Sequence, residues 1–291
     1  MIDNEIKEVK QKILSLDSNF IVGVERSLFS HWDSLLKTDE LYYYTDVNTF
    51  INGIITREQN KSKELCLWAT RWSHLNDPTE NQIGIKLMEE MQTPSEIVNQ
   101  LISNIDKNHS ISLTKEYDSL PMWKMYGAGG NGIMLAFDCK QLIDIYDYLL
   151  QICIYEGDEY DKSFINAMAN LEFGEEFHRL DENVQRFLVA KEFMMYCSIV
   201  KDKHFDYEKE VRIVGVGNPF FDKNEKEICY RYSDGKVIPY VKEYLPKSLL
   251  KRVCLGPLTN TALSKTSLKE FLESKGFSHV EVETSAVPYR G

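Results

Sequence analysis

"YEKEVRIVGVG", residues 207–217, ends a long helical stretch with β-branched residues alternating with charge. Side chains on a strand alternate with a period of two, so Val211 and Ile213 share one face while Glu208, Glu210 and Arg212 share the other. Before this point, "KQLIDIYDYLLQ", "FINAMANLEF" and "NVQRFLVAKEFMMYCSIV" make residues 140–200 mostly helical. After it, "EICYRY", "KVIPYV" and "RVCLGP" read as strands, then "SLKEFLESKG" as a helix ahead of "HVEVETS". Toward the N-terminus, "LYYYTD" (41–46), "LCLWAT" (65–70), "SISLT" (110–114) and "GIMLAFD" (132–138) are strands. Helices fall on "VNTFINGII" and on "TPSEIVNQLISNI", the latter capped by Thr93 with Pro94 at its first position.

Strands at both ends of the chain around a helical middle predict an α+β fold with a mixed or antiparallel sheet. Residues 39–291 are expected to form a single domain, with a helical insertion at about 140–200. Ile6, Val9, Ile13 and Leu14 recur at helical spacing and "RSLFSHWDSLL" continues the pattern, so residues 1–38 are expected to be a helical extension. The strict β-α alternation of a doubly wound fold is absent, as is a GxGxxG between strand and helix, which argues against a Rossmann site.

Composition narrows the function classes. Of 291 residues, 43% are hydrophobic and 27% charged, as in ordinary globular proteins. Acidic residues outnumber basic ones by 45 to 34, and the net charge of -11 disfavours non-specific nucleic-acid binding, which needs clustered Lys and Arg. "MIDNEIKEVK" is no secretory signal, and no segment has the apolar length to span a bilayer. A cytoplasmic protein without a membrane partner is therefore expected. Six scattered cysteines without a CxxC pair predict reduced, mostly buried thiols.

Four stretches carry candidate chemistry. In "RWSHLNDPTE" (71–80), Asp77 as N-cap, Pro78 at the first position and Glu80 at the third make a helix start. Capping leaves Arg71, His74 and Asn76 unexplained, and a strand end meeting a helix N-terminus suits an anionic ligand. His74, Asp77 and Glu80 have poor spacing for a metal ion, and no metal is assigned. In "YEKEVRIV" (207–214), Glu208, Glu210 and Arg212 either floor a cleft or make a solvated charged face, and spacing alone favours the solvated face. In "SLPMWKMYGAGGNGIMLAF", Trp123 and Tyr126 lie one helical turn apart, as ring-stacking residues or as core. "GAGGNG" lacks a Walker ending and precedes a strand. In "LYYYTD", Tyr42 and Tyr44 share a face opposite Tyr43, and Tyr43 with Thr45 could present hydroxyls to a pocket, or all could simply reflect β-propensity.

Together and in order, "LYYYTD", "LNDPTE", "SLPMWKMYGAGGNGIMLAFD", "YEKEVRIV", "VCLGP" and the closing "VPYR" resemble a widespread bacterial family of uncharacterised proteins, the domain of unknown function numbered 2971. Where that family usually carries a histidine, this chain has Tyr43. The family's layout is similar to that of the ADP-ribosyltransferase superfamily: a polar or aromatic residue on an early strand, an aromatic segment midway and an acidic residue on a late strand. That likeness is one of fold layout. It implies that Tyr43 touches the ribose of NAD and that Glu210, or Glu208, is the catalytic carboxylate. Thr45, Arg71, Asn76, Asp77, Glu80, Trp123, Tyr126 and Arg212 are the expected substrate-binding residues.

The expected function is that of an NAD- or nucleotide-using transferase or glycohydrolase, effector- or toxin-like, with NAD as substrate and no tightly bound cofactor. A macromolecular acceptor is unspecified. The alternative is a regulatory protein that binds a nucleotide-like ligand without turnover, and a metal-dependent hydrolase or nuclease ranks third.

Overall fold

The computed structural model describes residues 32–55, 65–77, 82–90, 108–157, 179–218, 226–233, 235–259 and 261–291. The expected helices over residues 1–31, 93–105 and 164–173 lie outside these, as do Pro78, Thr79 and Glu80.

The fold is α+β. Its strands are β1 (Glu40–Thr45), β2 (Leu65–Arg71), β3 (His109–Thr114), β4 (Ile133–Asp138), β5 (Leu150–Ile152) and β6 (Ile154–Tyr155). They continue with β7 (Val200–Lys201), β8 (Glu210–Ile213), β9 (Ile228–Ser233), β10 (Lys236–Leu245), β11 (Leu250–Leu255) and β12 (Glu281–Thr284). The helices are α1 (Trp32–Leu35), α2 (Val47–Thr49, continued by a π-type turn over Phe50–Ile54), α3 (Gln82–Glu90) and α4 (Leu120–Met125). The rest are α5 (Cys139–Tyr146), α6 (Glu182–Ile199) and α7 (Ala262–Ser274).

A ten-stranded mixed sheet runs β12-β11-β4-β1-β3-β2-β10-β9, with β8 on β3 and β5 on β8. Its pairs are antiparallel except β11–β12, which are parallel. The sheet forks at β3. One edge of β3 is covered by β8 from Thr114 to Ile111, and the Val216 N–H extends that pairing to the His109 carbonyl at 3.0 Å. β1 and β2 must then share the opposite edge. β2 holds its start through Thr70 opposite Ser110, and β1 holds its end through Tyr42 opposite Thr114. Among the described residues no strand pairs opposite Ser112 on that edge, and this opening becomes the mouth of a cleft.

The alternation along each strand explains the layering. In β4, Ile133, Leu135 and Phe137 join the main core while Met134 faces a second cluster on the other side. A strand buried on both faces reads as an unbroken apolar run, and "IMLAF" is one. Helix α5 packs Leu142 and Tyr146, and α7 packs Leu268 and Leu272, onto the main core. Asp138 caps α5 by accepting from the Gln141 N–H at 2.9 Å, and Thr261 caps α7 by accepting from the Ser264 N–H at 3.0 Å.

The stretch read as mostly helical, residues 140–200, also contributes β5 and β6. β5 pairs with β8 and β6 with β7, so part of this stretch is woven into the sheets. Short strands flanked by helices leave little period-two signal, which is why the sequence pattern hid them. Among the described residues, no helix is long and apolar enough to cross a membrane.

Candidate functional site

The strand expected over 207–217 is shorter than its alternation suggests. Residues Lys203–Glu208 form a tight helical turn capped by Asp202, whose side chain accepts from the His204 N–H at 2.8 Å. Lys209 then takes a left-handed conformation, φ 41° and ψ 49°, and β8 starts at Glu210. Glu208 therefore reaches the site from the turn, and only Glu210 and Arg212 sit on the strand. A local side chain-to-backbone cap has overridden β-propensity here.

The expectation of a solvated charged face is also corrected. Glu208, Glu210 and Arg212 are 4%, 3% and 2% exposed. They gather at Lys201, which follows α6 on the two-residue strand β7 and is itself 4% exposed. Its Nζ donates to Glu208 Oε2 at 2.5 Å and to Glu210 Oε2 at 2.6 Å. Arg212 donates through Nε to Glu210 Oε1 at 2.6 Å, through Nη2 to Oε2 at 3.1 Å, and through Nη1 to the Ser198 carbonyl at 2.7 Å. Two cations thus balance two carboxylates.

Burial by itself would favour the neutral acid of Glu210, but Arg212 and then Lys201 outweigh it and hold the carboxyl well below the usual carboxylate range. Burial likewise opposes the charge on Lys201, and the Glu210 carboxylate raises its pKa above the ordinary lysine value. Tyr155 supports the same end of the cluster: its hydroxyl accepts from the Glu210 N–H at 2.9 Å.

Lys201, Glu208, Glu210 and Arg212 line a cavity of about 230 Å³ at the fork of the sheet. β1 contributes Tyr42, Tyr43 and Tyr44, β2 contributes Trp68 and Thr70, and β3 contributes Ser110, Ser112 and Thr114. His74, Asn76 and Asp77 close one side, Tyr126 another, and Arg231 reaches in from β9. Tyr126 donates its hydroxyl to Glu208 Oε1, and the Asn76 side chain hydrogen-bonds the same tyrosine. Burial and then the Glu208 charge push the Tyr126 pKa up, keeping the phenol a donor. Asn76 and Glu208, far apart in sequence, meet at this hydroxyl.

Of the residues singled out from sequence, Tyr43, Asn76, Asp77, Tyr126, Glu208, Glu210 and Arg212 line the cleft. Thr45, Arg71 and Trp123 do not. Thr45 is buried at the end of β1, where its carbonyl lies against Gly132: a Cβ there would come within 2.3 Å of it. Arg71 ends β2 opposite His109. Trp123 is fully buried, donates its indole N–H to Asp118 Oδ1 at 2.8 Å and packs edge-on against Tyr44, with ring centroids 4.8 Å apart. It is a core aromatic, packed from α4 into the second cluster with Tyr44, Met122, Met134 and Cys254. "GAGGNG" serves close chain crossing, with the Gly132 carbonyl accepting from the Gly256 N–H at 3.0 Å.

Asp77 is buried at the cleft, but its expected capping partners fall outside the described residues, as does Glu80. Among the described residues, no three His, Cys, Asp or Glu side chains are grouped as a metal ion would require.

Sequence reasoning missed Lys201, Arg231, Trp68 and the hydroxyl row of β3. The row was readable: in "HSISLT" Ser110, Ser112 and Thr114 alternate with the core residues Ile111 and Leu113. Lys201 and Arg231 lie in stretches with no motif.

Residues 122–213 match the model of a family described as Protein of unknown function (DUF2971), in agreement with the family resemblance of the sequence. That span holds Tyr126 and the charged floor of the cleft, Lys201, Glu208, Glu210 and Arg212. No curated protein and no solved structure matches the chain.

Proposed function

We propose that the cleft binds a nucleotide-like substrate, with NAD the first candidate, and breaks or transfers its glycosidic bond as an ADP-ribosyltransferase-type enzyme does. The observation that carries this reading is the buried pair of carboxylates on the floor of a cleft walled by tyrosines, Trp68 and a row of hydroxyls. Aromatic faces suit a base or a sugar ring, hydroxyls suit ribose, and a carboxylate suits the positive charge that develops at an anomeric carbon. At about 230 Å³ the cavity lies below the ~300–1,000 Å³ of whole-ligand pockets, so it would take the glycosidic end of a dinucleotide and leave the remainder toward the mouth.

Within this reading Glu208 is a better transition-state partner than Glu210. Both Glu210 oxygens are engaged by cations, whereas Glu208 shares one lysine and accepts its other bond from a neutral phenol. In the step itself, the C1′–N bond breaks and the departing base takes the electron pair. Water, or an acceptor hydroxyl or amine, then bonds to C1′ and loses a proton to solvent. Glu208 would stabilise the cationic carbon between these events, and Tyr43, on the cleft wall, would contact a ribose hydroxyl.

A second reading, binding without turnover, is favoured by one feature: every oxygen of the two carboxylates already has a donor. Incubating the full chain with NAD and separating the products by chromatography tests both. Nicotinamide release that Glu208→Gln abolishes supports the enzyme. NAD binding in calorimetry without release supports the binding protein, and neither release nor binding removes NAD as the ligand.

A further inference from the structure

We propose that Arg231, with the hydroxyls of Thr70 and Ser110, forms an oxyanion subsite at one end of the cleft that takes a phosphate group of the ligand. The proposal rests on the reading that the ligand is nucleotide-like and adds to it the group that fixes the ligand's orientation.

Strand β9 alternates sharply. Ile228, Tyr230 and Tyr232 face outward, while Arg231 and Ser233 face in and line the cleft. The Arg231 guanidinium lies 5.6 Å from the ring centroid of Trp68 and 5.5 Å from that of Tyr240. Nη2 donates to Thr70 Oγ1 at 2.8 Å. Packing against ring faces leaves the N–H groups of a guanidinium available, and Thr70 uses only one. Lys201 and Arg212, the other Lys and Arg side chains lining the cleft, are matched by Glu208 and Glu210. Among the described residues Arg231 has two rings and a hydroxyl as partners and no carboxylate. A positive charge half-buried in a cleft, with no carboxylate partner among the described residues, suits an anion.

An independent observation points to the same place. Thr70 stands opposite Ser110 across the β2–β3 pairing. Ser110 is 1% exposed and lines the cleft, yet its Oγ has no hydrogen-bond partner among the described residues. A buried hydroxyl without a protein partner is completed by water or by a bound group. Thr70 accepts from Arg231, which leaves its own hydrogen free to donate onward. Guanidinium N–H groups from one side and two hydroxyls from the sheet surround a tetrahedral oxyanion, whereas a planar carboxylate would be served by the guanidinium alone.

The test is calorimetric titration of the full chain with nicotinamide riboside, its 5′-phosphate, pyrophosphate and malonate. The phosphorylated riboside should bind roughly ten- to hundredfold more tightly than the riboside, the range expected for charge-assisted hydrogen bonds. Arg231→Gln should remove that gain, so that the riboside and its phosphate bind the variant with affinities within about twofold of each other. Ser110→Ala and Thr70→Val should each remove part of it, and melting curves confirm that each variant is folded. No preference for the phosphate, or a preference that survives in folded Arg231→Gln, overturns the subsite. Should Arg231→Gln not fold, Thr70→Val decides by the same comparison. If neither riboside nor its phosphate binds, the nucleotide reading fails separately. Arg231-dependent binding of pyrophosphate then still sustains the subsite, and its absence overturns it. Malonate binding as tightly as pyrophosphate overturns the assignment to phosphate.

Discussion

The Nζ of Lys201 lies 2.6 Å from Oε2 of Glu210, nine positions along the chain, with both side chains about 4% exposed. The same ammonium holds Glu208, so the turn before β8 and the strand itself are locked through one buried cation. Buried ion pairs of this kind add little net stability when intact, but losing one partner leaves a charge stranded out of water.

Lys201→Met should therefore destabilise the protein by about 3–5 kcal/mol, because it strands two carboxylates. Arg212→Ala should also be costly, since Glu210 loses both of its guanidinium bonds. Urea denaturation checks both variants. A Lys201→Met protein with an unchanged midpoint would mean that the cluster is not buried as described.

Acid titration should expose Glu210. Its carboxyl is held below the ordinary ~4.3, so the stability it contributes is present above that value and is lost as pH falls through the lower folded value. The raised Lys201 pKa contributes stability that is full below ~10.4 and is lost as pH rises through the higher folded value. Between about pH 5 and 10 both terms are undiminished. Glu210→Gln should lower stability at neutral pH, because it weakens two ion pairs, and it should show a shallower decline on acidification. Parallel slopes for variant and parent between about pH 7 and 3 would remove Glu210 as an acid-labile group.

Tyr126→Phe should leave the fold intact, within about 1.5 kcal/mol, since it deletes one hydroxyl and its bonds to Glu208 and Asn76. Ligand affinity or turnover should fall in this variant. Asn76 is exposed at the rim of the cleft, so Asn76→Ala should change stability by no more than about 0.5 kcal/mol while weakening ligand binding. Melting curves paired with calorimetry separate the two effects, and ligand affinity unchanged in both variants would detach Tyr126 and Asn76 from the site.

Trp123 gives the opposite pattern. Trp123→Ala should cost about 3–5 kcal/mol through the cavity it leaves and the lost bond to Asp118. A milder Trp123→Phe variant should bind ligand as the parent does, since the ring does not line the cleft. Selective loss of binding in Trp123→Phe would contradict its assignment to the core.

Local patterns were enough for the α+β class, for most strands and for the partnership of Glu210 with Arg212, because alternation places side chains two apart on one face whatever surrounds them. Asn76 was also legible, as a polar residue that capping left unexplained, whereas Tyr43, Glu208 and Glu210 were singled out through the layout of the family resemblance. What sequence could not supply was burial. "YEKEVRIV" reads as a solvated face until Lys201 arrives from β7, and Trp123 reads as a ligand-stacking ring until Tyr44 and Asp118 enclose it. Nor does any spacing reveal that β1 and β2 part along β3, yet that fork brings Arg231 and Ser110 into one cleft with Glu208. Whether a charge faces water or a counter-ion depends on chain segments far away in sequence, so the tertiary structure alone decided where this protein's charge is stored.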